Sequence, residues 1–395
     1  MTTKPTVMNY IFIGNKAICS FVLIFTVILI FSCKPSDKEN KHQEKIPGTD
    51  FSFHTLKKTV PEKSFLIDAD YHNWGGSMIK SEDGKYHLFY SRWPKASGHI
   101  AWVVQSEIAH AVADDPLGPY NFKDIALPHR GKEYWDGMMT HNPTIHKLGD
   151  KYYLYYIGTY GDGKLHYTAK NEKGETIKKI NYSHRNNQRI GVAIADHPEG
   201  PWKRFDEPLI DVSDDSTASD NLIVVNPSVA RRPDGKYLLV YKAATKDYTK
   251  ESLAGPVIHR VAISDSPDGP FIKQPGIIFD AGDSFFPAED PYIWYQNDRF
   301  FAIVKDMHGA FTDKGRALVL FESKEGLNWT LADKPLVSKL QIEKADGSIK
   351  KFQRLERPQL YFENGKPAIL FVAVRDGKQS YNIHIPLETD YSNIN

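Results

Sequence analysis

The chain has 395 residues, an apolar fraction of 41%, an aromatic fraction of 12% and a formal net charge of +1. A balance this close to neutral lacks the basic surplus that a phosphate backbone demands, which excludes a nucleic-acid partner. The apolar content suffices for a large core, and the aromatic excess suits either sheet interiors or sugar-stacking surfaces.

Lys4 and Lys16 precede an apolar run from Phe21 to Phe31. The run is short for a membrane span and suits the hydrophobic region of a signal peptide. It ends in Ile30-Phe31-Ser32-Cys33, which resembles a bacterial lipobox with a bulkier residue than usual at Phe31. The expectation is a signal peptide over 1–32 and lipidation at Cys33. The other cysteine, Cys19, lies in the segment removed, so no disulfide, thiolate metal site or cysteine nucleophile is expected in the mature chain. Residues 33–50 are polar and mixed in charge, which predicts a flexible tether. The protein is then expected in the envelope of a Gram-negative bacterium, periplasmic or on the outer membrane, touching the membrane only through its lipid.

From residue 51 to 395 one pattern recurs: a polar or small residue, often followed by a proline, a Gly/Asp/Asn turn and an apolar, mostly aromatic-rich strand. It begins with Gly76-Ser77-Met78-Ile79 and Asp83-Gly84-Lys85-Tyr86. It returns at Asn142-Pro143, Asn226-Pro227, Asp290-Pro291 and Arg357-Pro358. Each copy predicts a hairpin of two strands. A second motif follows, in Ala113-Asp114-Asp115-Pro116-Leu117-Gly118-Pro119-Tyr120 and its relatives ending at Trp202, Phe271 and, more loosely, Trp329. It predicts a third strand, a tight turn and a fourth strand. Four strands in each of five units predict an all-β, five-bladed β-propeller. The last unit is one strand short, and Ser64-Phe65-Leu66-Ile67 is placed to close the ring from the N-terminal side.

These x-Pro strands, Lys-Tyr-Tyr-Leu-Tyr-Tyr hairpins and Gly-Pro-Trp turns resemble glycoside hydrolase families 43 and 117 over about residues 65 to 390. The resemblance implies a propeller that acts on an oligosaccharide, as an exo-acting hydrolase of plant or algal material. Two further readings stay open: a glycoside phosphorylase holding phosphate with Arg, Lys and His, and a non-catalytic surface glycan-binding lipoprotein. It implies no required cofactor, with room for a divalent cation on the propeller axis. Family 43 carries a catalytic Asp-Pro in the first blade, where this chain has Trp74-Gly75-Gly76-Ser77. Only the fourth unit has the acidic form, Glu289-Asp290-Pro291.

Glycoside hydrolysis requires two carboxyl groups about the scissile bond. Glu289 and Asp290 are the first candidates for the acid, although strand alternation predicts that just one of them faces the axis. Asp70, just before the first innermost strand, is the candidate base, and Glu356 is a supporting carboxylate. Trp74 and Arg92 are candidates for stacking and a hydroxyl clamp. Asp136, His141, Asn142, Asn226 and His308 are candidates for binding sugar hydroxyls. Arg357, with Arg354 and Lys305, is a candidate for recognising a carboxylate or sulfate on the substrate.

Overall fold

The computed structural model describes residues 52–246 and 255–389. The signal segment, Cys33 and the tether over 33–50 lie outside the described residues.

Five four-stranded antiparallel sheets follow one another as blades. Blade 1 comprises Tyr71–Lys80, Tyr86–Pro94, Glu107–Ala113 and Asn121–Leu127, and blade 2 comprises Met139–Leu148, Lys151–Thr159, Arg189–Ala195 and Lys203–Arg204. Ile223–Arg231, Tyr237–Ala244, Val257–Ser264 and Ile272–Lys273 form blade 3; Ala288–Gln296, Arg299–Asp306, Ala317–Ser323 and Thr330–Lys339 form blade 4. Blade 5 takes Arg354–Glu363, Lys366–Asp376 and Gln379–Pro386 from the C-terminal side. Its fourth strand is Phe65–Leu66, paired with Ile383 and Asn382, so the ring closes as the shortened last repeat predicts.

The second strands show why the fold is a ring of stacked sheets. In Lys151–Thr159, Tyr152 to Thr159 are all buried, with no alternation of polar and apolar residues. A strand buried on both faces reads as a continuous apolar run, and here each face packs on a neighbouring blade. Phe89 and Ile108 of blade 1 meet Leu154 and Tyr156 of blade 2. Similar clusters join blades 2 and 3, 3 and 4, 4 and 5, and finally 5 and 1. The core is therefore five interblade layers. Phe53 and Leu56, ahead of the closing strand, add to the layer between blades 4 and 5.

Each third-to-fourth turn lies at one end of the propeller, and each second-to-third connection at the other, beside the start of the innermost strands. Two of the latter are elaborated. Blade 1 inserts short helical turns over Lys95–Ser97, His99–Ala101 and Trp102–Gln105. Blade 2 inserts a ribbon, His166–Lys170 with Thr176–Ile180, and the turn of helix Ser183–Asn186.

Candidate active site

Every innermost strand carries the same irregularity near its start. The register with its partner slips between Trp74 and Ser77, His141 and Thr144, Val225 and Ser228, Glu289 and Tyr292, and Glu356 and Gln359. The extra residue is left-handed each time: Gly75 at φ 65°, Asn142 at 53°, Asn226 at 55°, Asp290 at 53° and Arg357 at 56°. In blades 2 to 5 proline follows. Proline has no N–H for the ladder and is confined within sheets to edges and bulges, so the repeated x-Pro marks a bulge. Asn and Asp tolerate this conformation with short polar side chains, and glycine meets no penalty. An arginine there is held by its surroundings.

The five bulge residues form a polar ring on the axis. Asn142 Nδ2 donates to Asn226 Oδ1 at 2.9 Å, and Asn226 Nδ2 donates to Asp290 Oδ1 at 2.6 Å. Arg357 reaches Asp290 Oδ1 at 3.5 Å and the Asn142 carbonyl at 3.3 Å. Gly75 leaves space for it: a Cβ there would lie 3.3 Å from Arg357 Nε. Serines tie the blades just behind the ring, Ser91 Oγ accepting from the Asn142 N–H at 2.8 Å and Ser228 Oγ from the Ile293 N–H at 2.9 Å.

Above the ring lies a cavity of about 240 Å³. Glu289, Asp290 and Glu356 all line it, and one oxygen from each lies within 4.8 Å of the others. The bulge overturns the alternation expected for adjacent strand residues: with Asp290 left-handed, Glu289 and Asp290 open on the same space. Two buried lysines on second strands reach the carboxylate of the next blade. Lys242 Nζ donates to Glu289 Oε1 at 2.6 Å. Lys305 Nζ donates to Glu356 Oε1 and stands 4.0 Å from Glu289 Oε2.

This arrangement pushes the adjacent acids apart in acidity. Burial alone would raise Glu289, but Lys242 and Lys305, helped by Arg185, hold it down to about 2. Burial first, then the neighbouring charge of Glu289, raises Asp290 to about 6 against the opposing pull of Arg357 and Lys242. Asp290 Oδ1 takes the Asn226 amide hydrogen, while Oδ2 takes no hydrogen bond from any described residue, so the proton of the neutral acid belongs on Oδ2.

The opposite wall is aromatic: Trp74, Trp93, His99, Trp102 and His141. His141 stacks on Trp102 at 4.6 Å between ring centroids, and its Nδ1 meets Ser106 Oγ at 2.8 Å. Burial first, then Arg357 and His99, holds His141 well below its usual range, and burial holds His99 down to about 3. Both rings are neutral at ordinary pH.

Of the residues singled out in the sequence, Trp74, His141, Asn142, Asn226, Glu289, Asp290, Glu356 and Arg354 line the cavity. Arg357 and Lys305 stand directly behind them. Four others lie elsewhere. Asp70 is exposed and outside the cavity lining, because its loop turns outward where Asp68 Oδ1 accepts the Asp70 N–H at 2.8 Å. Arg92 is sandwiched between the rings of Tyr71 and Phe122, at 4.4 and 3.9 Å. Asp136 is fully buried under Arg130 Nε and Tyr156 OH, both at 2.6 Å. Asp220 repeats that arrangement in blade 3, with Tyr241, Arg260 and Lys273, so Asp136 is a blade-pinning carboxylate. His308 is exposed next to Met307, which does line the cavity.

Sequence reasoning missed Lys242, Arg185, His99 and Trp102. Lys242 left one signal, a lone charge in the apolar run Leu238-Leu239-Val240-Tyr241-Lys242-Ala243-Ala244. The others sit on insertions whose destination no local periodicity encodes.

The fold and the site together define a five-bladed propeller with an acid- and cation-lined axial cavity. Neither a protein-family model nor a curated relative matches the chain. Solved structures do match it in fold. The chain is similar to Zg3597, a family 117 glycoside hydrolase produced by the marine bacterium Zobellia galactanivorans, at 18% identity and a TM-score of 0.53, over 84% of this chain and 88% of that one. A protein described simply as a glycoside hydrolase matches at 14% identity and a TM-score of 0.60, over 86% and 94%. An alpha-L-arabinofuranosidase from Lactobacillus brevis matches at 14% identity and a TM-score of 0.52, over 81% and 92%. These likenesses establish the propeller fold.

Proposed function

We propose that the protein is an exo-acting glycoside hydrolase that removes a terminal sugar from plant or algal oligosaccharides. The observation that carries this reading is the Glu289-Asp290 bulge, which opens two adjacent carboxyl groups on one cavity and gives them opposite protonation preferences. Such a division is what acid/base assignment requires. Asp290, protonated on Oδ2, donates to the leaving oxygen. Glu289, kept anionic by its lysines, attacks the anomeric carbon or activates water, and Glu356 shares the Lys305 charge. A cavity of about 240 Å³ holds about one sugar ring, which supports terminal attack. The names of the structural neighbours, a family 117 hydrolase and an arabinofuranosidase, agree with a glycosidic substrate.

The test is incubation with a panel of plant and algal oligosaccharides, reading the monosaccharide released. Release by the wild type and none by Asp290→Asn supports the reading; equal release by both removes Asp290 from the mechanism. The cation surplus of the cavity favours one second reading, phosphorolysis, which phosphate-dependent release of a sugar phosphate would establish. Although the three carboxyl groups are close enough to share a cation, each already has a lysine or arginine beside it. The proposal therefore includes no required metal, and dialysis against a chelator should leave turnover unchanged.

A further inference from the structure

The three carboxyl groups of the cavity are each answered by a cation: Lys242 at Glu289, Lys305 at Glu356 and Arg357 at Asp290. Two more cations line the same cavity without a hydrogen-bonded carboxylate. Arg354 comes no nearer than 3.9 Å to Glu356 Oε2, and Lys305 already holds that carboxylate. The Arg185 guanidinium has no hydrogen-bond acceptor among the described residues, and its Nε is buried without one. This is no loose surface arginine. Gln188 Nε2 donates to its carbonyl at 2.6 Å, and the adjacent His184 ring is clasped by Asp162 Oδ1 at 3.0 Å. The guanidinium stands over Trp102, 5.8 Å from the ring centroid.

Arg185 feels Glu289 only through space, and Lys242 and Lys305 already stand at that carboxylate. A part-buried guanidinium with open donors is costly to hold, so its natural complement is an anion brought by the occupant. The neighbouring histidines do not change that balance. They are neutral, and Trp74, Trp93 and Trp102 beside them add an uncharged aromatic wall. A guanidinium fork matches the spacing of two oxygens on a carboxylate or sulfate, which a lysine does not.

We infer that the cavity takes a sugar that itself carries an oxyanion, a carboxylate or a sulfate on the ring, with Arg185 as the group that binds it and Arg354 beside it. The inference rests on the glycan-site reading of the cavity but not on its hydrolytic chemistry.

Isothermal titration of the purified protein with galacturonate, galactose 6-sulfate, galactose and inorganic phosphate tests it. The expected result is affinity for an anionic sugar at least about tenfold above that for galactose, falling as salt is raised. Arg185→Met should abolish that preference and Arg185→Lys should restore part of it, with circular dichroism unchanged in both. Galactose binding as well as the anionic sugars, no anionic-sugar binding at millimolar concentration, or an undiminished preference in Arg185→Met would each overturn it. Phosphate binding that exceeds both anionic sugars and depends on Arg185 also overturns it, by assigning the oxyanion to a free co-substrate. The two readings fail separately. Anionic-sugar binding without any cleavage sinks the hydrolase and leaves this inference, whereas cleavage confined to neutral glycosides does the reverse.

Discussion

Replacing Asp290 by asparagine separates the chemistry of the bulge from its fold. Asparagine already occupies the same left-handed position in blades 2 and 3, as Asn142 and Asn226, and an amide oxygen can still accept from Asn226 Nδ2. In the wild type, burial and Glu289 raise this carboxyl from 3.8 to about 6, with the attraction of Arg357 already counted in that balance. At about 1.36 kcal/mol per pH unit, ionising Asp290 inside the fold costs roughly 3 kcal/mol more than in the unfolded chain. The sign follows from linkage. The stability conferred by the neutral acid is complete below pH 3.8 and is lost as pH rises through about 6. A neutral amide loses nothing over that window. Asp290→Asn should therefore match the wild type near pH 4 and exceed it by up to about 3 kcal/mol at pH 8, while turnover falls by about 10²–10⁴-fold. Urea unfolding followed by tryptophan fluorescence at the two pH values measures the difference. A variant whose stability offset is the same at both would refute the claim that Asp290 is a strained acid.

Lys242→Met removes the nearest cation from Glu289 but leaves Lys305 at 4.0 Å, so it should cost about 1–3 kcal/mol near neutral pH. The sign is opposite to that of Asp290: Glu289 is held down to about 2, so its contribution is present above its unfolded value and lost as pH falls toward 2. The deficit of Lys242→Met, measured by urea unfolding, should shrink below about pH 4. Gly75→Ala places a Cβ at φ 65°, 3.3 Å from Arg357 Nε and 3.4 Å from Asn142 Oδ1. It should destabilise by about 1–2 kcal/mol, read as a drop in thermal midpoint. Cys33→Ser should move the protein from the membrane to the soluble fraction on cell fractionation, as expected of a lipid-anchored chain.

The fold was legible because its determinants are local and repeated. Turn residues recur at every blade and x-Pro dipeptides at blades 2 to 5, and the missing strand of the last unit pointed to Phe65–Leu66. The site was legible only in part, and the reason is the bulge. Simple alternation sent Glu289 and Asp290 to opposite faces, yet the proline that follows is itself the sign that alternation stops there. Asp70 illustrates the opposite failure. It lies close to a strand start in sequence, but the chain turns outward before entering the ring. Asp136 looked chemical because it stands among polar and aromatic residues near His141; its partners Arg130, Tyr156 and Arg204 instead pin blade 2 to its own loop. Arg185 arrives from an insertion more than 40 residues beyond Asn142, and only the three-dimensional path of that insertion brings it to the cavity.

The most direct test of the Glu289-Asp290 assignment is the pH dependence of kcat/KM on a cleaved oligosaccharide, which reports the acid and base of the free enzyme. With Asp290 raised to about 6 as the proton donor, the profile should fall above about pH 6. In Glu289→Gln, the loss of the charge that raises Asp290 should move that limb to lower pH in whatever activity remains. Activity undiminished up to about pH 9 in the wild type would contradict the assignment of Asp290 as the acid.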